Sequence, residues 1–154
     1  MPKEKIFFKS FLPLKEEFGF KELVNFLDRD NFPTRSISGV RVDHILSSVF
    51  QIPGVQKNPE FSAIYRDQER QFNPDKKKSN LDIFFSMLSG VSGKVHVDVE
   101  QVYIIQLYGI VVYKLEESVY EVSPGDMLKI PVGKLHRAIG LTPRITLSYG
   151  LFNK

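Results

Sequence analysis

From residue 81 onward the sequence is a succession of short apolar segments cut by turn residues: 81–88, 94–99, 102–108, 110–115, 119–122, 127–130 and 144–152. The breaks are Gly90 with Gly93, Gly109, Glu116-Glu117-Ser118 and Ser123-Pro124-Gly125-Asp126, all residues that supply turns. Short strands at such regular spacing close into an antiparallel sandwich or barrel. The expected fold is therefore mainly β. No internal repeat and no low-complexity segment interrupts it.

Within this run lies His96-Val97-Asp98-Val99-Glu100. A strand has a period of two, so His96, Asp98 and Glu100 share one face and Val95, Val97 and Val99 the other. A third candidate ligand, His136, follows a turn after the apolar segment that ends at Ile130. The chain has no cysteine, so a metal here is bound through nitrogen and oxygen. Two histidines and one carboxylate form the facial triad that holds non-haem Fe(II) and leaves coordination positions open. A single histidine in a strand is usually a packed, hydrogen-bonded core residue. Three such groups inside an apolar barrel would each cost on the order of several kcal/mol if left unpaired, and a divalent cation removes that cost.

The remainder of the chain is expected to support this core. With 154 residues, 42% hydrophobic and 25% charged, it reads as one domain, 1–154, made of an N-terminal helical and strand extension, 1–80, and a motif-bearing core, 81–152. Basic and acidic residues nearly balance, 21 against 18, so no nucleic-acid partner is implied. Lys9 breaks the apolar run Ile6-Phe7-Phe8 and no small-residue cleavage site follows, so a cytoplasmic, unprocessed protein without a membrane partner is expected. Phe20, Leu23, Val24 and Leu27 recur at helical spacing, and Asn31-Phe32-Pro33 ends that helix near Asp30. Asp43 could cap a second short helix carrying Ile45, Leu46, Val49 and Phe50, stopped by Pro53-Gly54, while His44 within it is an ordinary histidine. Phe61, Ala63 and Tyr65 alternate as in a strand, and 66–80, with Lys76-Lys77-Lys78, reads as a mobile, solvated loop.

Two stretches of the second half resemble the cupin motifs. Gly125, Pro131, Gly133 and His136 have the spacing of the second motif up to its last position, where Gly140 stands instead of asparagine. Gly90, His96, Asp98 and Gly109 resemble the first, with Asp98 where many cupins have a second histidine and Val102 where they have glutamate. His-x-Asp followed by Val-Tyr-Ile-Ile-Gln-Leu-Tyr-Gly is similar to the JmjC-like branch of Fe(II)- and 2-oxoglutarate-dependent oxygenases. The resemblance spans about residues 81–152 and implies a double-stranded β-helix, or jelly roll, with two or so short N-terminal helices packed outside.

It further implies a catalytic metal held by His96, Asp98 and His136, with iron as the metal and 2-oxoglutarate as co-substrate. In that branch a basic residue on the strand after Gly109 holds the far carboxylate of 2-oxoglutarate, and here Val111 occupies the matching position. In the wider superfamily an Arg-x-Ser/Thr element opening the last core strand does this, and Arg144-Ile145-Thr146 fits it. Alternation puts Arg144, Thr146 and Ser148 on one face and Ile145, Leu147 and Tyr149 on the other. Ser86 and Tyr65 are candidates for further hydrogen bonds, Lys129 for a second basic anchor, and Glu100 for an additional ligand. The activity implied is hydroxylation of a small molecule or a protein side chain. The alternatives are a metal cupin of other chemistry, such as an isomerase or a 2-oxoglutarate-independent dioxygenase, and a non-catalytic small-molecule-binding cupin. Ribosomal oxygenases of this branch carry dimerisation and winged-helix domains that 154 residues do not accommodate, so a ribosomal substrate is not inherited by analogy. A homodimer supported by the Phe-rich N-terminus is a family expectation.

Overall fold

The computed structural model describes residues 4–14, 18–30, 35–36, 49–91 and 95–152. Among these residues there are eleven strands and two α-helices: β1 (Phe7–Phe8), α1 (Phe20–Asp30), β2 (Arg35–Ser36), β3 (Phe50–Ile52), α2 (Pro59–Phe72), β4 (Ser79–Ser86), β5 (Gly90–Val91), β6 (Gln101–Tyr108), β7 (Val111–Leu115), β8 (Ser118–Val122), β9 (Met127–Ile130), β10 (His136–Gly140) and β11 (Arg144–Leu151). A 3-10 turn (Val55–Lys57) leads into α2. The strands make one seven-stranded sheet in the order β1, β9, β6, β11, β4, β3, β2 and one four-stranded sheet in the order β5, β10, β7, β8. Every pairing is antiparallel. This is the jelly roll of the cupin fold. Among the described residues no helix is long and apolar enough to cross a membrane.

Strand alternation divides the core in two. On the outer face of the larger sheet, Leu81, Ile83 and Phe85 of β4, Ile105 and Leu107 of β6, and Ile145, Leu147 and Tyr149 of β11 pack under Leu23 and Phe26 of α1 and Phe61 of α2. Between the sheets, Ile104, Leu128 and Ile130 meet Val111, Tyr113, Leu115 and Val122. The N-terminal phenylalanines pack within the chain: Phe8 and Phe11 join the first cluster, and Phe7 stacks on Tyr120.

The helix predicted from Phe20 is present, and Glu22 reaches back to the Gly19 amide at its start. Its buried stripe runs through Leu23 and Phe26, whereas Val24 faces outward. Three other expectations are corrected. Phe61, Ala63 and Tyr65 lie in a helix, not a strand. Asn58 caps α2 by accepting from the Glu60 amide, Pro59 opens it, and Phe61, Ile64, Tyr65, Gln68 and Phe72 follow the 3.6 period. The supposed mobile loop 66–80 is the rest of that helix, whose Arg66, Asp67 and Arg70 form its solvent face, followed by a turn and the start of β4. Phe50, expected in a helix, opens β3. Residues 43–48 of that expected helix, His44 included, lie outside the described residues.

Candidate functional site

The concave face of the larger sheet and the smaller sheet enclose a cavity of about 580 Å³. His96, Asp98 and His136 line it, and one ligand atom from each lies within 4.8 Å of the others. The segment that carries His96 and Asp98 was expected to be a strand over 94–99. Among its described residues it makes only a single bridge, His96 to His136, through paired backbone hydrogen bonds of 3.0 and 2.9 Å. The alternation holds nonetheless. His96, Asp98 and Glu100 face the cavity, whereas Val95, Val97 and Val99 face solvent. A hydrogen bond from the Gly133 amide to the Asp98 carbonyl ties the same segment to the turn before β10. His136 is not merely past a turn, as read from the sequence, but is the first residue of a strand.

The geometry prepares the two imidazoles for a cation. Nδ1 of His136 donates to the Lys134 carbonyl at 3.0 Å, which directs Nε2 into the cavity. Nε2 of His136 stands 3.2 Å from one Asp98 oxygen, and Nε2 of His96 stands 3.6 Å from the other. Ligands adjacent on an ion with bonds of about 2.1 Å are about 3 Å apart, so the three side chains fit one face of a coordination sphere. In the metal-free site the His136 hydrogen bond and the charges of His136 and His96 hold the Asp98 carboxyl below its ordinary value against the opposing effect of burial. Burial is the strongest single influence on His136 and disfavours its proton. The hydrogen bonds to Asp98 and the Lys134 carbonyl and the Asp98 charge outweigh it and raise the pKa. Glu100 lines the cavity but is not part of the three-residue cluster.

A second polar feature lies deeper in the same cavity. Arg144 is 5% exposed, burial depresses its pKa, and its Nη1 has no hydrogen-bond partner. A buried guanidinium nitrogen with nothing to donate to is costly, and an entering carboxylate relieves that cost. Thr146 and Ser148 also line the cavity, as alternation along β11 requires. The Thr146 hydroxyl donates to Gln106 Oε1 at 2.7 Å, so its proton is committed within the wall. Tyr113 of β7 was not foreseen. It faces the cavity within electrostatic reach of both Arg144 and Asp98, and burial pushes its phenol up to about 12, leaving it a donor at neutral pH. Its signal was the parity that makes Val111, Tyr113 and Leu115 inward neighbours on one strand.

Three candidate residues are placed elsewhere. Tyr65 lies on α2, across the larger sheet from the cavity, where its hydroxyl bonds Ser79 at 2.6 Å and its ring packs on Tyr149. The helical path of the chain there carries it away from the site. Ser86 pairs with Arg144 between β4 and β11, but its hydroxyl engages the Leu88 backbone and it does not line the cavity. Lys129 is turned outward to an ion pair with Glu4. Val111 is buried in the apolar cluster between the sheets, 1% exposed, and supplies no charge.

No family model and no curated protein matches this sequence. Solved structures do. The Escherichia coli ribosomal oxygenase YcfD superposes with a TM-score of 0.75 at 21% identity, over 97% of this chain and 48% of that one. A structure of YcfD in complex with cobalt and 2-oxoglutarate gives 0.74 at 22% identity, and one with cobalt and succinic acid gives 0.73 at 22%, each over 97% of this chain and 48% of that one. The chain thus spans about half the length of the structures it matches, and it shares their fold.

Proposed function

We propose that the chain is an Fe(II)- and 2-oxoglutarate-dependent oxygenase that hydroxylates a small molecule or a protein side chain. The observation that carries this reading is the coexistence, in one cavity, of the His96, Asp98 and His136 cluster with the unpartnered guanidinium of Arg144. A facial set of two imidazoles and one carboxylate suits Fe(II), and a buried cation nearby suits the far carboxylate of a five-carbon diacid. The complex of YcfD with cobalt and 2-oxoglutarate supports a metal together with 2-oxoglutarate in such a cavity, and the choice of iron rests on the ligand set. With both bound, such a centre would use dioxygen as the oxidant, one of its atoms entering succinate as 2-oxoglutarate loses carbon dioxide and the other entering a substrate C–H bond to give the alcohol.

The chain's own residues supply position and shelter. Asp98 and the Nε2 atoms of the two histidines would hold the ion. The Lys134 carbonyl keeps the His136 ring turned toward it. Arg144 would receive the far carboxylate, and the protonated Tyr113, within electrostatic reach of Arg144 and Asp98, would offer a second donor. Val102, Ile104, Ile130 and Ala138 form an apolar wall that limits water around the reacting atoms.

Anaerobic titration of the Fe(II) protein with 2-oxoglutarate tests the assignment. Bidentate chelation gives a visible charge-transfer absorption, and His96→Ala or Asp98→Ala abolishes both that band and succinate formation. Metal binding without the band would instead favour a cupin of other chemistry. Succinate formation that survives in both variants would refute the proposed centre.

A further inference from the structure

Gly140 ends β10, pairing with Gly90 of β5 and Val111 of β7. It is not among the glycines with positive φ, so no unusual backbone conformation requires a glycine there. Space does. A Cβ at this position would lie 1.4 Å from Arg144 Nη1, 2.6 Å from Cζ and 3.3 Å from Nε. The guanidinium therefore fills the volume that any side chain at 140 would take. Arg144 starts from β11 in the larger sheet, opposite Ser86, and its head crosses to rest on the smaller sheet. The nitrogen lying deepest against Gly140 is the one without a hydrogen-bond partner.

Two of the positions at which the chain departs from the motifs it resembles, Val111 and Gly140, are partners in the β7–β10 register. One of them lacks a charge and the other lacks a side chain. The cation of Arg144 lies against Gly140 of this pair, having come from the opposite sheet.

We infer that Gly140 is a positioning residue for the anion-holding end of the cavity: its missing side chain is the seat that aims the Arg144 guanidinium at a carboxylate. The inference rests on reading Arg144 as the holder of that carboxylate. It makes the anchor a joint product of β10 and β11, and it predicts that the smallest addition at 140 acts on the ligand's far end alone.

The test compares 2-oxoglutarate with pyruvate, which has the same keto-acid end and no far carboxylate, by calorimetry on the Mn(II)-loaded protein. Gly140→Ala is expected to weaken 2-oxoglutarate binding at least about tenfold, the loss expected for a charged hydrogen bond. Affinities for pyruvate and for Mn(II) stay unchanged, and in an Arg144→Ala background the same substitution adds no further loss. A preserved ratio of 2-oxoglutarate to pyruvate affinity in Gly140→Ala overturns the inference. Melting temperatures of the two single variants and the double variant decide the matter independently. If Gly140→Ala lowers the melting temperature or prevents folding, removing Arg144 as well restores it when methyl and guanidinium compete for one space. Failure to restore it overturns the seat. Should the parent protein bind neither Mn(II) nor either acid, the oxygenase reading fails, and the melting comparison alone judges Gly140.

Discussion

Arg144→Met is expected to move stability and ligand affinity in opposite directions. Arg144 is 5% exposed, and its Nη1 has lost water without gaining a partner. Leaving such a donor unsatisfied costs about 1–3 kcal/mol, and methionine keeps the apolar stem while removing the donor. The head lies beside an existing cavity of about 580 Å³, so the substitution enlarges open space more than it creates a sealed void, and the usual cavity penalty applies only in part. A net gain of about 1 kcal/mol follows, or about 2–4 °C in melting temperature for a domain of this size. Affinity for 2-oxoglutarate moves the other way, because about 1.5–3 kcal/mol of charge-assisted hydrogen bonding is removed, equivalent to about 10- to 150-fold. Thermal melts of metal-free protein without dicarboxylate, set beside calorimetry of the Mn(II)-loaded protein, read both. A melting temperature that falls by several degrees would mean the guanidinium holds the two sheets together. The argument from an unpaired nitrogen would then be refuted.

Three further outcomes are expected. His136 has a raised pKa, so its contribution to metal-free stability is complete below its unfolded value of 6.5 and is lost as pH rises through the folded value. Asp98 has a lowered one, so its contribution is complete above 3.8 and is lost as pH falls through the folded value. Melts across pH should therefore show metal-free stability declining on the alkaline side, while Mn(II) affinity rises there because a proton must leave His136 Nε2 before the ion can bind; pH-independent Mn(II) affinity through that range would exclude the proton as competitor. Thr146→Val strips Gln106 Oε1 of its donor at a residue with no exposure, and equilibrium denaturation should show a loss of about 1–3 kcal/mol. Gly109→Ala places a Cβ 2.0 Å from the Pro143 carbonyl oxygen at a φ of +76°, so a loss of at least about 1–3 kcal/mol is expected in the same assay, and a neutral result would show that the β6–β7 turn yields freely.

What was legible in the sequence is what period and turn chemistry encode. β6, β7, β8, β9 and β11 lie within a residue of the segments read from apolar runs, because two-faced burial and flanking glycines mark their ends. The ligand face of 95–100 was also legible, since alternation persists even where a strand does not form. α2 was not, because Phe61, Ala63 and Tyr65 fit a period of two over three residues. The stronger signal, Asn58-Pro59 followed by apolar residues at 61, 64, 65 and 72, needed a longer window and a tolerance for the buried polar Gln68 on the same face. β10 was hidden by its composition: His136-Arg137-Ala138-Ile139-Gly140 has little of a strand's character and owes its pairing to β7. Tyr65 was assigned to the site by the same misread period, and Gly140 drew notice only as a missing asparagine. Its role required knowing where the head of Arg144 comes to rest.

Fold and site are joined most tightly in β11. Its odd residues Ile145, Leu147 and Tyr149 pack under the helices, and its even residues Arg144, Thr146 and Ser148 face the cavity. A slip of one residue would exchange the two sets, driving a guanidinium into the helix-covered core and leaving the cavity without a cation. Register is therefore under two independent pressures, apolar burial and the aim of Arg144. The structure fixes it near the functional end. A bulge opposite Ile145 and Thr146 takes up one residue of β6, Gly109 admits the Pro143 carbonyl into close approach, and the Ile110 amide donates to Thr142 Oγ1 at 3.0 Å. At the other end the Tyr149 hydroxyl donates to Glu69 of α2, so the helix that the sequence concealed also keeps the strand in phase. Substitutions that loosen the β6–β7 turn should then reach Arg144 before they reach the candidate metal ligands, because those are carried by other segments, His96 and His136 through their own backbone pairing and Asp98 through the Gly133 amide.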